Sequence, residues 1–295
     1  MRSERGQGTV EWIGLVLFVS LTMLALIAVG VRVPGASLAL AVADRIICAA
    51  ALADGCGDES TLIAAYGSEV GELVRGHMPM LAFEHGSRAL PVDFRRCRST
   101  TCADAEGEGR IHRTDERLPV TAFVHVIDCR EGEEVGAEAA GGDCSGERAG
   151  NLYVQYWTYY PDSATLRGVP VAGKKGFHVD DWESVQLRFG ADGEVDQRAS
   201  SHHGYNYFLS KGNWGSDTGI TVHDGWGPET RLLLVSGGSH AGNAIGFADV
   251  SRYVPGNRVH LIPLEQIAAT NGDQFAVSPP WLKKVWLDPE ATGTD

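Results

Sequence analysis

His178–Phe189 (HVDDWESVQLRF) is the stretch of this 295-residue chain that decides the fold. In an extended strand, side chains alternate between two faces, so residues two apart share a face. One face carries the aliphatic side chains of a buried core: Val179, Asp181, Glu183, Val185, Leu187 and Phe189. The other face carries His178, Asp180, Trp182, Gln186 and Arg188. Asp181 and Glu183 therefore point inward, and a positive partner is expected beside two buried carboxylates.

A bound cation, an arginine or a histidine would supply that positive partner. Ca2+ and Mg2+ are hard cations that bind oxygen ligands, so either would suit a pair of acids. Two further polar clusters follow at predicted strand ends, at 201–204 (SHHG) and 237–241 (GGSHA). Titratable side chains that gather beside buried strands are typical of a shared site. The predicted metal-site residues are His178, Asp181, Glu183, His202 and His240.

Strand signals dominate the second half of the chain. Residues 152–160 (LYVQYWTYY) are aromatic or apolar on both faces, which favours a central strand. Further strands are predicted over 119–128, 185–189, 197–201, 205–209, 231–235 and 259–262. We therefore expect a mainly β fold, a two-sheet antiparallel β-sandwich covering 151–295.

The segments ahead of the sandwich have a different composition. An Ala- and Leu-rich run over 36–53 and an amphipathic pattern over 60–75 favour two helices, which we interpret as a helical stem spanning 34–85. Residues 86–150 combine irregular sequence, one predicted strand and a Gly- and Glu-rich loop. They are expected to form a disulfide-containing region.

An uncharged apolar run stands near the N-terminus, at 12–31 (WIGLVLFVSLTMLALIAVGV). A membrane-spanning helix needs about 20 such residues, so the sequence predicts a single-pass transmembrane helix within 1–33. Arg2 and Arg5 precede the run and Arg32 follows it, which favours a cytoplasmic N-terminus. The lipid bilayer is thus an expected partner, with the bulk of the chain outside the cell membrane.

The residues just before the apolar run resemble a processing signal. Residues 5–11 (RGQGTVE) are similar to the class III leader of type IV pilins, in particular the Flp and TadE-like pilins. The resemblance implies cleavage after Gly6, with Glu11 at the fifth position of the mature chain. It also implies contact with pilus-assembly machinery.

Six cysteines all lie beyond the apolar run, which suits disulfides in an extracytoplasmic domain. Six cysteines permit 15 connectivities, and near-neighbour spacing favours sequential pairing: Cys48 with Cys56, Cys97 with Cys102, and Cys129 with Cys144. A zinc site is the alternative, and the absence of a Cys-x-x-Cys motif argues against it.

The charge of the chain narrows the class of partner. The formal net charge is −13 and the isoelectric point is about 5.2. Such a chain repels polyanions, so nucleic acid is not an expected partner.

The order of motifs between residues 152 and 264 resembles two families. Residues 178–183 (HVDDWE), then a Ser-x-His with Gly, then an apolar strand and Gly-Ser-His-Ala are similar to the vacuolar protein sorting "sixty-two" family. A more distant similarity links them to the necrosis- and ethylene-inducing peptide-like proteins. The latter resemblance implies a β-sandwich whose acids and histidines hold a divalent cation, here Asp181, Glu183, His178 and His202. Asp180 stands where the first family prefers Gly and the second His.

Four functions fit these patterns. The first is a membrane-anchored extracytoplasmic domain that binds a polar ligand, a glycan or a lipid head group, at the cation site. The second is a metal-dependent hydrolase with His202 or His240 as general base. The third is a serine hydrolase, because 232–241 resembles a nucleophile elbow at Ser239, followed by Asp249 and His260. The fourth is a minor pilin-like structural subunit.

Overall fold

The structure of the protein is a computed structural model that describes residues 56–85, 87, 89–98, 118–130, 144–163, 178–201, 204–210, 221–244, 249–268 and 274–293. All of these residues belong to one unit, Ala53–Asp295. Within them, no helix is long and apolar enough to cross a membrane. Several predicted features lie outside the described residues: the apolar run at 12–31, Gly6, Glu11, Cys48, Cys102 and His202.

Two β-sheets form the body of the described chain. In chain order the strands are β1 (Met80–Glu84), β2 (Thr121–Asp128), β3 (Leu152–Ser163), β4 (His178–Phe189), β5 (Val195–Ser201), β6 (Gly204–Ser210), β7 (Thr221–Asp224), β8 (Gly227–Pro228), β9 (Leu232–Val235), β10 (Gly242–Asn243), β11 (Val250–Val254) and β12 (His260–Pro263). The large sheet has the order β12–β2–β3–β4–β5–β6–β7, with β8 paired to β5. The small sheet has the order β10–β9–β1–β11. The predicted sandwich is therefore confirmed.

Strand pairing is mixed, whereas the sequence predicted antiparallel sheets. Most neighbours are antiparallel, but β1 runs parallel to β9 and β12 runs parallel to β2. Parallel neighbours need a long connection, and more than 130 residues separate the members of each pair. Local sequence patterns carry no signal for pairing at that distance.

The described residues also contain three α-helices: α1 (Cys56–His77), α2 (Glu265–Ala268) and α3 (Lys284–Leu287). The helix predicted over 60–75 falls inside α1, which is kinked at Gly67, where φ is 79°. Leu62, Tyr66, Val70 and Val74 of α1 are buried in the core between the sheets. Helix α1 and strand β1 thus extend the β domain into the segment that the sequence assigned to a stem.

The core between the two sheets uses the face of β4 that alternation predicts. Val185 and Leu187 are fully buried there, and Phe189 packs against them. The small sheet contributes Leu81 and Phe83 of β1 to the same core. Asp181 and Glu183 lie on this face, ahead of the aliphatic residues, so the inward direction of both acids is confirmed.

A second apolar cluster covers the opposite face of the large sheet. Trp182 and Tyr159 of the sheet pack there against Phe94, which precedes β2, and against Val285 and Trp286 of α3. Alternation along β4 marks only the other face as core. Both faces of the large sheet are buried because the segments that precede β2 and follow β12 in sequence fold over its outer face.

One predicted disulfide is present in the described residues. Cys129 and Cys144, which are 15 positions apart in sequence, are bonded, with their Cα atoms 5.3 Å apart. Cys97 is also disulfide-bonded. The sequential pairings of Cys97 with Cys102 and of Cys48 with Cys56 involve residues outside the described part of the chain and stay predictions.

Removing the Cys129–Cys144 disulfide should lower the free energy of unfolding by about 3 kcal/mol, the value for a closed loop of roughly 15 residues. The double variant Cys129→Ser with Cys144→Ser keeps side chains of similar size and leaves no unpaired thiol. Urea unfolding under non-reducing conditions measures the difference. A loss that persists when both proteins are measured in reducing agent would contradict the loop-closure explanation.

Candidate acid–histidine site

Asp181 and His240 form a buried pair at one end of the sandwich. Asp181 Oδ2 lies 2.8 Å from His240 Nδ1, and the two side chains are 7% and 2% exposed. Asp181 belongs to β4 of the large sheet, and His240 lies in the turn between β9 and β10 of the small sheet. The hydrogen bond therefore joins the two sheets. His240 is the partner that an inward-facing carboxylate requires.

Local backbone geometry brings His240 into this position. The turn between β9 and β10 contains Gly238 with a φ of 132° and His240 with a φ of 53°. The imidazole stacks on the ring of Tyr160, with centroids 3.9 Å apart and planes 6° from parallel. Tyr160 is the direct cross-strand neighbour of Asp181 on β3. Two adjacent residues of the large sheet thus hold the histidine, one by packing and one by a hydrogen bond.

Glu183 lies two residues further along the same face. Ser200 Oγ donates to Glu183 Oε2 at 2.5 Å and accepts from the backbone N–H of Ser184 at 2.6 Å. Burial raises the pKa of Glu183 well above its ordinary value, and the charge of Asp181 raises it further, while Ser200 and Lys283 act in the opposite direction. A buried acid, Asp181, and a half-buried one, Glu183, therefore repel each other at this end of the sheet.

Of the other predicted metal ligands, His178 lies farther from Asp181 than His240 does, and His202 lies outside the described residues. His178 Nε2 lies 3.9 Å from Asp181 Oδ1, and its side chain is 39% exposed at the rim of the site. Among the described residues, no group of three or more His, Cys, Asp and Glu side chains is arranged to hold a metal ion. The chemistry of two repelling carboxylates suits a hard cation. A complete ligand set would need donors beyond Asp181 and Glu183, such as the predicted His202.

Asp180 was not among the predicted site residues, although it adjoins Asp181. Its side chain faces the outer aromatic cluster and is 5% exposed. Asp180 Oδ1 accepts from the hydroxyl of Tyr159 at 2.7 Å, and Oδ2 accepts from Arg98 Nη2 at 2.9 Å. The sequence signal that marks it is an acid on the face opposite the aliphatic one, next to an aromatic residue.

A second buried acid–histidine pair lies between β2 and α2, and sequence reasoning missed it. His125 Nδ1 lies 2.7 Å from Glu265 Oε1, and His125 Nε2 lies 3.0 Å from the carbonyl oxygen of Trp286. The hydroxyl of Tyr66 donates to Glu265 Oε2 at 2.5 Å. The imidazole also stacks on the Trp286 ring, at a centroid distance of 3.5 Å. A histidine in the otherwise apolar run 122–127 was the available signal.

The prediction of a nucleophile elbow at Ser239, on which the serine-hydrolase hypothesis rests, is wrong. A nucleophile elbow connects a strand to a helix, whereas Ser239 lies in the turn of a hairpin in which Val235 pairs with Gly242. His260 begins β12 at the edge of the large sheet and donates its backbone N–H to Val120. The apolar strand and the glycines that suggested the elbow are explained by the hairpin itself.

Comparisons with known proteins find only remote similarity. No family model matches the sequence, and no curated protein matches it. Similar solved structures include a triple mutant of NLPPya, with 17% identity and a TM-score of 0.37 over 74% of this chain and 87% of that chain. The NLPPya complexes with mannosamine and glucosamine give 15% and 17% identity and TM-scores of 0.34 and 0.35, over 74% of this chain and 86% of each of theirs.

Proposed function

We propose that this chain is a membrane-anchored, extracytoplasmic β-sandwich domain that binds a polar ligand, a glycan or a lipid head group, at a divalent-cation site. The observation that carries the proposal is the pair of inward-facing acids, Asp181 and Glu183, at the end of β4. Glu183 is held near Asp181, and the pKa of Glu183 is raised by burial and by the negative charge of Asp181. A bound Ca2+ or Mg2+ would neutralise both carboxylates and remove the repulsion between them, which His240 beside Asp181 does not do for Glu183.

The residues of the site would have different roles in binding the cation. Asp181 and Glu183 would supply the oxygen ligands, and the cation would supply a positive centre for oxygen atoms of the ligand. His240 Nδ1 donates to Asp181 Oδ2 and orients that carboxylate from behind. His178 and the predicted His202 would complete the rim.

The geometry argues against His240 as the general base of a hydrolase, and the other candidate base, His202, lies outside the described residues. A general base must reach the proton that it removes, whereas the His240 side chain is 2% exposed and its ring is stacked on Tyr160. The metal-dependent hydrolase and the minor pilin-like subunit stay alternatives that rest on the sequence alone. Anchoring through residues 12–31 and processing at Gly6 rest on the same basis.

Replacing both acids, as Asp181→Asn with Glu183→Gln, should weaken Ca2+ or Mg2+ binding by more than about 100-fold. Loss of a direct ligand is expected to exceed the 10–100-fold effect of losing an outer-shell partner. Titration calorimetry of the purified chain measures the affinity. The amino sugars glucosamine and mannosamine, each tested with and without the cation, serve as ligand probes.

Asp196→Asn is the matched control for that double variant. Asp196 is a carboxylate on the neighbouring strand β5, paired with Arg188 at 2.7 Å and 30% exposed. Its loss should leave the cation affinity unchanged. If the unmodified chain gives no binding heat and the same melting temperature with and without a chelator, the cation site does not exist.

A further inference from the structure

Asp180 has a backbone conformation that few residues other than glycine adopt. Its φ is 61°, in the left-handed region, although it lies inside strand β4. Aspartate is one of the residues that tolerate this region, because its short polar side chain can bond locally. Backbone strain of this kind persists only where the surroundings hold it, and it is concentrated at functional sites.

Three segments of the chain hold the Asp180 carboxylate. The Tyr159 hydroxyl on β3 donates to Oδ1 at 2.7 Å, Arg98 Nη2 donates to Oδ2 at 2.9 Å, and the backbone N–H of Ala276 donates to Oδ2 at 2.9 Å. The Arg98 guanidinium also stacks over Phe275, 4.3 Å from the ring centre. The residue is 3% exposed. Its side chain is thus fixed from the strand, from the segment before β2 and from the segment before α3.

We infer that Asp180 is the positioning residue of the acid–histidine site. It contacts the outer aromatic cluster, while Asp181 faces the opposite side of the sheet and meets His240 at 2.8 Å. Anchoring of the Asp180 carboxylate holds residue 180 in its left-handed conformation. The peptide that follows then has one orientation, and this orientation directs Asp181 toward His240. The cation part of this inference rests on the proposed function, and the part that concerns Asp181 and His240 does not.

The test compares Asp180→Ala with the conservative variant Asp180→Asn in the full chain. Alanine removes all three anchors and keeps a Cβ that resists a positive φ. Asparagine tolerates this φ and keeps an oxygen for Arg98 and the Ala276 N–H, and its amide can donate to the Tyr159 oxygen. The first readout is the NMR signal of the His240 Nδ1 proton, measured without added metal. The second is the affinity for Ca2+ and Mg2+.

Asp180→Ala is expected to abolish the protected His240 Nδ1 proton signal and to weaken cation binding at least tenfold, as for loss of an outer-shell partner. Asp180→Asn should restore the signal and bring the affinity to within about threefold of the unmodified chain. Asp128→Ala is the control for a loss of stability alone. The Asp128 carboxylate also pairs with an arginine, Arg130, at 2.8 Å. It lies eight residue pairs along β3 from Asp181, about 26 Å away.

The outcomes separate the alternatives. The inference is supported if the signal is lost in Asp180→Ala and kept in both Asp180→Asn and Asp128→Ala. It is overturned if Asp180→Ala keeps the signal, or if Asp128→Ala loses it as well, because the role is then only structural. If the unmodified chain binds no divalent cation, the proposed function fails, and the His240 signal still decides the positioning role.

Discussion

Replacing Glu265 with leucine should lower the free energy of unfolding by about 3–5 kcal/mol. Both ring nitrogens of His125 face oxygen atoms, since Nδ1 lies 2.7 Å from Glu265 Oε1 and Nε2 lies 3.0 Å from the Trp286 carbonyl oxygen. Leucine removes the hydrogen-bond partner that Glu265 offers to His125 Nδ1 and to the Val126 N–H, and each buried polar group left unsatisfied costs about 1–3 kcal/mol. We expect the lower end of the range because the Glu265 side chain is 21% exposed.

Urea unfolding of the chain measures this loss, with Glu265→Gln as the matched variant. Glutamine keeps one oxygen that can accept from His125 Nδ1 and from the Val126 N–H, which donates to Glu265 Oε1 at 3.1 Å. It should therefore cost clearly less than leucine. Equal losses in the two variants would mean that the hydrogen bonds to this carboxyl contribute nothing.

The same pair predicts a dependence on pH. Burial alone would raise the pKa of Glu265, but the hydrogen bond and charge of His125 and the Tyr66 hydroxyl lower it on balance. A carboxyl whose folded pKa is depressed adds stability above its unfolded pKa of about 4.3, and this stability is lost as the pH falls through the folded value. The difference between the unmodified chain and Glu265→Gln should thus shrink between about pH 5 and pH 3. A constant difference would assign the loss to packing.

Replacing Trp182 with alanine should cost about 3–5 kcal/mol, the range for deleting a buried aromatic side chain. Trp182 is 4% exposed, and its ring lies 5.0 Å from that of Tyr159, 5.4 Å from that of Phe94 and 5.7 Å from that of Phe123. Alanine leaves a cavity at the centre of this cluster. Urea unfolding followed by near-ultraviolet circular dichroism measures the loss.

Trp182→Phe separates the effect of the cavity from that of the aromatic contacts. Phenylalanine keeps a ring among the same neighbours, so we expect less than half the loss of the alanine variant. Trp182 also lies between Asp181 and Glu183 in sequence. A loss below about 1 kcal/mol for Trp182→Ala would show that the outer cluster is not close-packed.

The inner face of the sandwich could be predicted from the sequence because one strand encodes it. Val185 and Leu187 follow a period of two, and the same period places Asp181 and Glu183 on the inner face. His240 could be predicted as a neighbour of these acids only through a motif, because 59 residues separate it from Asp181. The disulfide between Cys129 and Cys144 followed from short spacing.

The outer face could not be predicted in the same way. Trp182 and Asp180 are covered by residues from before β2 and after β12, and no local pattern encodes which distant segment lies on a strand. The left-handed conformation of Asp180 is a property of the folded chain, because three anchors from three segments maintain it. The pairing of His125 with Glu265 spans 140 residues for the same reason.

The parallel pairing of β1 with β9 has a consequence for how the domain assembles during synthesis. In the small sheet β1 has two neighbours, β9 and β11, and both are synthesised more than 140 residues later. Leu81 and Phe83 therefore stay uncovered by their own sheet while most of the domain leaves the ribosome. The small sheet has its full set of strands only when β11 (Val250–Val254) has emerged, and the large sheet only when β12 (His260–Pro263) has emerged. The domain thus closes after its synthesis is nearly complete, and its nascent chain carries bare apolar strands during most of that time.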